Sequence, residues 1–592
     1  MPIARLHKFL STPIKNESSP NLIFWLSLSL TFSAIYSLLA LREAFGSAYV
    51  VQDDARQHVF WMLRFIDPEL FPHNLIADYF QSVAPAGYTN LYRIAAAVGF
   101  NPLIFNKLLP SLLGLLTTGY CFGVCLQMLP IPSAGFIATL LLNQNLWNDD
   151  DLVSGTPRAF VYGLLLAFLY YLLRRSLLPC LIAIAFIGLF YPQCIFLCTG
   201  LLIFQLAKWQ EGRFRLSRNR QDYLFCAAGL GAVLLVMLPY ALTSSEFGPV
   251  ITAAQARQLP EFQIGGRSEF FVNNFKDFWL SGDRSGMFPR ALFTPVTLCA
   301  GLLLPLLALF PAQFPLVRQI KPSILVLPQL FLVSVAMFFA AHALLFKLHL
   351  PSRYTTYSFR VIVALASAIA FCVILDALLH WASGTAKPFL PLRQSIALGT
   401  TALIGAALLL YPSFLKHFPD TGYVEGKAPA LYRFFQEQPK DSLIASLSDE
   451  ANYIPTFARR SILVGREYAI PYHWGYYRQF RQQTLDLIRA QYSPNWAEVQ
   501  GFLKKYNVDF WLLDKTAFTP GYFASNSWLQ PFEPATGQAL TSLQQGTLPA
   551  LSSVMKNCSV FETDSQVVLG APCLKSIPQD KLGASPSNDS KS

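Results

Sequence analysis

The chain has 592 residues, 53% of them hydrophobic and only 13% charged, with a net charge of +11 and 49 Phe. Soluble domains usually hold about 25% charged residues, so a water-soluble globule of this composition would expose too much apolar surface, whereas a bilayer solvates it. The positive charge is not a nucleic-acid footprint, because Lys and Arg fall in short segments between apolar runs, as in the cytoplasmic loops of membrane proteins.

About eleven apolar segments approach the length of about 20 residues that a span requires: 22–41, 102–128, 133–147, 159–173, 177–190, 194–208, 223–243, 291–310, 323–346, 361–382 and 394–415. The first is longer than a signal-peptide core and reads as an uncleaved span. The third to sixth are short enough to be tilted, broken or re-entrant. Basic residues orient the set. With residues 1–21 cytoplasmic, Arg5, Lys8 and Lys15 lie inside, as do Arg174 and Arg175, the run from Lys208 to Arg220, Arg318 with Lys321, and Lys387 with Arg393. That agrees with the positive-inside rule. An all-α polytopic membrane domain then occupies 22–415, with large outside loops at 42–101 and 244–290 and shorter ones at about 148–158 and 347–360. An odd number of spans places the rest of the chain outside the plasma (inner) membrane.

From 416 to 573 charge returns and short strand patterns alternate with helical ones. Leu443-Ile-Ala-Ser-Leu, Ser461-Ile-Leu-Val-Gly and Val508-Asp-Phe-Trp-Leu-Leu read as strands, and Trp496 to Tyr506 as an amphipathic helix. This is the pattern of a small extracytoplasmic α/β domain. The Ser-, Pro-, Asp- and Lys-rich residues 574–592 are expected to be disordered. Of ten Cys, eight lie in apolar runs and read as small buried residues. Cys558 and Cys573 form either a disulfide or two free thiols.

Three polar clusters interrupt the apolar pattern. Gln52-Asp53-Asp54-Ala55-Arg56-Gln57-His58 follows the first span. On a helix Asp54 and His58 share a face, while Asp53 and Asp54 point about 100° apart, so one of the two aims into a site. That carboxylate is a candidate general base; the plainer reading is a solvated helix start. Asn148-Asp149-Asp150-Asp151 lies between the third and fourth spans. Three Asp at a bilayer centre would cost roughly 8–10 kcal/mol, so they face water or a polar cavity. Asp149-x-Asp151 could hold Mg2+ or Mn2+ through oxygen ligands. Pro351-Ser-Arg353-Tyr354-Thr-Thr-Tyr357-Ser-Phe-Arg360 sets Arg beside hydroxyls, which suits either a phosphate or interfacial anchoring. The loop 244–290, with Arg257, Arg267, Glu269, Lys276, Asp283 and Arg284, is either a lid or a plain polar loop. In the tail, Phe457-Ala-Arg459-Arg460 and Tyr472-His473-Trp474-Gly475-Tyr476-Tyr477 either stack on sugar rings or pack internally. Walker, GxSxG, HExxH and Rossmann motifs are absent from the sequence.

The placement of these motifs resembles the GT-C superfamily of integral-membrane glycosyltransferases. There an acidic residue follows the first span, a second acidic motif lies between spans three and four, and a soluble domain often follows the last span. Asp53-Asp54, Asp149 to Asp151 and the tail from about 416 match these features, and Arg353-Tyr354 is similar to an Arg-Tyr near a late span. The tail lacks the Trp-Trp-Asp-Tyr-Gly motif of oligosaccharyltransferases and looks more like those of poorly characterised bacterial relatives. The resemblance implies transfer of a sugar from a polyprenyl-phosphate donor to an acceptor glycan, lipid or protein. It assigns Asp53 or Asp54 as the base, Arg56, His58, Arg158, Arg353 and Tyr354 as substrate- or phosphate-binding, and Asp149 and Asp151 as metal ligands. Some members work without a metal, and the Asp triplet would then orient an Arg or the substrate. A transporter or flippase of lipid-linked glycans would instead need ionisable residues inside spans, with Asp376 and His342 the candidates. A non-enzymatic scaffold would leave the Asp triplet unexplained.

Overall fold

The computed structural model describes residues 2–14, 19–210, 213–242, 245–383 and 390–578. Lys15, Lys387 and the tail beyond 578 lie outside the described residues. All eleven apolar segments are helical. Six are long and apolar enough to cross a membrane: Pro20–Ala44, Pro102–Met128, Arg220–Leu242, Pro322–Ala343, Arg353–Ala382 and Pro391–Phe414. Pro20, Pro102 and Pro132 each open a helix, where the missing N–H has no intrahelical partner to lose. Pro157–Leu173, Leu177–Phe190, Pro192–Phe204 and Val296–Ala308 are shorter, and Pro132–Leu146 is buried along its whole length. Leu234, Leu235 and Leu403 are 66–72% exposed on the long helices. Water would oppose such a surface and lipid tails accept it. The chain is a multi-pass membrane protein.

The segment expected as one helix at 291–310 is irregular. It forms a 3-10 helix, Val296–Leu303, running into the α-helix Leu304–Ala308. Ring closure at Pro305 removes a backbone donor. Ser367 ties the 3-10 stretch to the helix Arg353–Ala382, accepting from Gly301 N at 2.9 Å and donating to Leu298 O at 2.7 Å.

The two ends of the bundle differ. At one end the N-terminal helix Pro2–Ser11 packs on Arg353–Ala382, and His7 Nε2 lies 2.7 Å from Asp376 Oδ1. Ile14 N donates to Pro130 O and Lys321 N to Met128 O at this end. Asp376, the ionisable candidate within a span, therefore has a partner. His342 lies 2.9 Å from Ser285 O.

The opposite end gathers residues 42–101, 245–290 and the tail. Strand Val50–Gln52 pairs antiparallel with Tyr423–Glu425, and Val250 bridges His473. The tail holds a five-stranded sheet in the order Ser461–Ile462, Leu443–Ser446, Phe510–Asp514, Gln566–Gly570, Ser559–Glu562. The first three strands are parallel and the last two antiparallel to their neighbours. Trp496–Tyr506 is a helix as expected, ended by Asn507 at φ 50°, a left-handed position that Asn tolerates. Cys558 and Cys573 are disulfide-bonded, with Cα atoms 5.5 Å apart. The helix Ala571–Ser576 carries the ordered chain past 573.

Residues 420–425 join both acidic clusters. Asp420 N donates to Trp147 O at 2.9 Å, just before the Asp triplet, and Asp53 N donates to Gly422 O at 3.0 Å. Gly422 has φ +60°, and a Cβ there would come within 3.2 Å of both Asp150 Cβ and Gln52 Nε2. Both the backbone and the space therefore require glycine.

Candidate active site

Strand Val50–Gln52 ends at Asp53, and the short helix Ala55–His58 begins on Asp54. The helix Pro132–Leu146 ends at Trp147, and Asp149 then caps the turn Asp150–Val153, its side chain accepting from Asp150 N at 2.8 Å. Gly155, at φ +58°, turns the chain back; a Cβ there would lie 2.5 Å from Asn106 Nδ2. Asn106 Nδ2 donates to Ser154 O at 2.9 Å and Tyr92 Oη to Gly155 O at 2.9 Å, fixing the turn. The turn delivers Arg158 onto the acidic residues before it.

Arg158 joins the two clusters. Its Nη2 lies 2.8 Å from Asp54 Oδ2 and 2.7 Å from Asp150 Oδ2, and its Nη1 lies 3.0 Å from Asp151 Oδ1. Tyr162 Oη donates to Asp151 Oδ2 at 3.1 Å. Asp149 turns away and pairs with Arg360. The four carboxylates, Arg158 and Arg360 line a cavity of about 540 Å3 together with His58, Arg267, Arg284, His349 and Arg353. Val83, Ala84 and Phe288 form an apolar part of its wall. Arg353 differs from Arg158, Arg267 and Arg360: among the described residues no carboxylate lies within salt-bridge distance of it.

Burial raises the Asp150 carboxyl, Arg158 opposes this, and the charges of Asp54, Asp151 and Asp149 add to the rise, which ends at about 7. Burial also acts on Asp54, but Arg158, His58, Arg267 and Arg353 together outweigh it and hold the carboxyl below its usual range. Two acids sharing one guanidinium nitrogen thus differ in protonation near neutrality, the arrangement that separates acid from base roles. Burial lowers the His58 imidazole, partly opposed by Asp54. His349 falls to about 3 through burial and then Arg353.

Several expected site residues lie elsewhere. Asp53 points to a second cavity of about 510 Å3. Its carboxyl is raised by burial and by Glu467. Arg56, expected to hold phosphate, lines that second cavity and is paired with Asp53 and with Glu467 Oε2 at 3.0 Å. Tyr354 does not line the first cavity; its hydroxyl donates to Leu348 O at 2.9 Å, because its neighbour Arg353 takes the inward face of the helix. Of Tyr472 to Tyr477, Tyr472 and His473 line the first cavity, and Tyr476 stacks on Tyr79 with ring centroids 3.7 Å apart.

Asp150 and Arg360 belong to clusters singled out in the sequence but were given no role of their own there, and Glu467 was passed over altogether. The spacing of Arg353 and Arg360, seven residues apart on one helix, was a usable signal for a shared face. Nothing local marks Glu467, which pairs with Arg56, Gln57 and Arg267 across the fold.

The Asp149 and Asp151 carboxylates do not fit one metal ion as they stand. Asp149 is engaged by Arg360, and Asp151 by Arg158 and Tyr162. Among the described residues, no three His, Cys, Asp or Glu side chains converge on a metal position. The cation between the acidic loops is the Arg158 guanidinium.

No family model matches the chain, and no curated protein matches it in sequence. Solved structures do share its architecture. The Archaeoglobus fulgidus oligosaccharyltransferase, tethered to an acceptor peptide containing the NVT sequon, aligns with a TM-score of 0.52 at 15% identity, over 87% of this chain and 72% of that one. The oligosaccharyltransferase AglB from the same organism, in complex with an inhibitory peptide and a dolichol-phosphate, gives 0.51 at 14% identity over 88% and 72%. The apo form of the A. fulgidus oligosaccharyltransferase gives 0.50 at 15% identity over 86% and 72%. At these identities the likeness is one of fold: the chain has the fold of these oligosaccharyltransferases over most of its length.

Proposed function

We propose that the chain is a membrane glycosyltransferase that moves a sugar from a polyprenyl-phosphate donor to an acceptor hydroxyl. The observation that carries this reading is the meeting of Asp54 and Asp150 on Arg158, inside a cavity that also holds the unpaired guanidinium of Arg353. The donor phosphate pairs with Arg353, whose planar fork suits two phosphate oxygens, and the polyprenyl chain leaves past the apolar wall at Val83, Ala84 and Phe288. Asp54, held ionised, accepts the proton of the acceptor hydroxyl as its oxygen attacks the anomeric carbon. The bond from the anomeric carbon to the phosphate oxygen breaks, and Arg353 stabilises the charge on the departing lipid phosphate. Direct displacement inverts the anomeric centre.

The reading places the N-terminus in the cytoplasm and the cavity on the opposite, outer face. The gathering of the N-terminal helix and the Lys321 loop at one end, and of both large loops and the tail at the other, supports this.

The test is incubation of the purified protein with a panel of polyprenyl-phosphate sugars, scoring release of lipid phosphate. Release by the parent and its loss in Asp54→Asn are expected. No release from any donor, or equal release by Asp54→Asn, defeats the proposal.

A further inference from the structure

The second cavity is unused by the mechanism above. It lies between the first outside loop, the loop 245–290 and the tail domain, and three aromatic side chains line it: Tyr453, Trp528 and Phe532. Two of its lining residues hold buried polar atoms with no partner. Trp528 is 5% exposed and its Nε1 donor is unbonded; Glu261 is 2% exposed and its Oε2 acceptor is unbonded. Buried polar atoms are almost always satisfied, so a donor and an acceptor left open on one cavity point to a ligand that supplies both. A hydroxyl does so, since it donates and accepts at once.

Charge narrows the class further. Five carboxylates line the cavity, Asp53, Glu261, Asp449, Glu450 and Glu467, against four cations that include Arg56 and Lys427. Many of these charges already neutralise one another. Arg56 is paired with Asp53 and Glu467, and Arg267 with Glu467, while Glu450 is hydrogen-bonded by the Tyr432 hydroxyl. The first cavity, by contrast, keeps Arg353 unpaired for an anion. The second, with five carboxylates against four cations, is close to neutral, polar and aromatic, which suits a neutral polyhydroxylated molecule whose C–H faces pack on rings while its hydroxyls find donors and acceptors.

The two cavities adjoin. Consecutive residues Asp53 and Asp54 face one each, and Arg267 lines both. We propose that the second cavity binds a neutral carbohydrate, seated between Trp528 and Glu261, and that this carbohydrate is the acceptor whose hydroxyl reaches Asp54. Its role as acceptor rests on the glycosyltransferase reading; its binding does not.

The test uses the full chain in detergent without donor. A neutral linear tetrasaccharide of mannose is titrated against the protein by saturation-transfer NMR and tryptophan fluorescence, beside an acidic tetragalacturonate and a cationic glucosamine tetramer. The neutral sugar is expected to bind best. Trp528→Phe keeps the ring and removes the donor, Glu261→Gln removes the charge, and each should weaken binding about tenfold, as loss of one buried hydrogen bond does. Thermal melting of both variants confirms that they fold. Absence of neutral-sugar binding, preference for a charged oligomer, or parental affinity in both folded variants overturns the proposal. Sugar binding without lipid-phosphate release would defeat the transferase reading and leave the carbohydrate site standing; release to another acceptor without sugar binding would do the reverse.

Discussion

Arg158→Gln is the sharpest perturbation the structure offers. Its guanidinium faces Asp54, Asp150 and Asp151 at 2.7–3.0 Å, and the arginine side chain is only 15% exposed. Removing one partner of a buried ion pair costs about 3–5 kcal/mol, because the other charge stays buried and uncompensated. Here up to three carboxylates would be stranded, so we expect the upper half of that range. Part of the loss falls on stability and part on transfer, where each step of about 1.4 kcal/mol is tenfold, so a transfer share of about half corresponds to a drop of roughly ten- to a hundredfold. Arg158→Lys should recover little, since one ammonium cannot reach Asp54 and Asp150 with one nitrogen and Asp151 with another. The decisive comparison is the double variant Arg158→Gln with Asp150→Asn, which removes one stranded charge and should regain part of the lost melting temperature in detergent. If Arg158→Gln melts with the parent, or if Asp150→Asn makes it worse, Arg158 is not the counter-charge of this cavity.

The other expectations follow from individual residues. Asp54→Asn should lower lipid-phosphate release by about 10^2–10^4-fold, the usual worth of a general base, whereas Asp53→Asn, in the neighbouring cavity, should cost clearly less; equal losses would contradict the division between the two carboxylates. Asp150 has its folded pKa raised to about 7 from about 3.9 unfolded, so its burial becomes a penalty as pH rises from about 4 to about 7. With its side chain 35% exposed, the full shift is discounted to about 1–2 kcal/mol, and Asp150→Asn should show a flatter melting profile over that pH window. The bridge Cys558–Cys573 closes a loop of 15 residues, worth about 3 kcal/mol in the chain-entropy account. Replacing both Cys by Ser should lower the melting temperature in non-reducing buffer and remove its sensitivity to dithiothreitol. Gly155→Ala, with φ +58° and a contact of 2.5 Å to Asn106 Nδ2, should misplace Arg158 and lower release without changing the protein's oligosaccharide affinity.

Much of this centre was legible in the sequence, for a physical reason. Acidic residues are too costly in lipid to sit between apolar runs unless a watery cavity receives them, so the pair Asp53-Asp54 and the triplet Asp149 to Asp151 announced themselves, though which of the pair faces the cavity did not, and Arg158 and Arg353 entered through the resemblance. The internal pairing did not. Asp149-x-Asp151 reads as a divalent site if the triplet is extended, but Asp149 caps a helical turn and the next residues rotate about 100° each. The outer two carboxylates therefore reach different arginines, and the middle one meets Asp54. Arg56 and Tyr354 were misplaced because neighbouring residues on a helix face different ways, and Glu467 is 411 positions from Arg56, a distance no periodicity spans. The irregular Val296–Ala308 was hidden because mean hydropathy does not record whether a segment can keep its backbone ladder past Pro305.

The strap at 420–425 has a consequence in time. It is made after all eleven apolar segments, yet it fastens the loop before Asp53 to the loop before Asp149 through Gly422 O and Asp420 N. A ribosome that has completed the last apolar segment has still not made the residues that join the two acidic clusters. The first cavity closes only when the chain has reached His473, which lines it beside Asp54 and Arg158, so its two acidic loops wait for a segment made long after them.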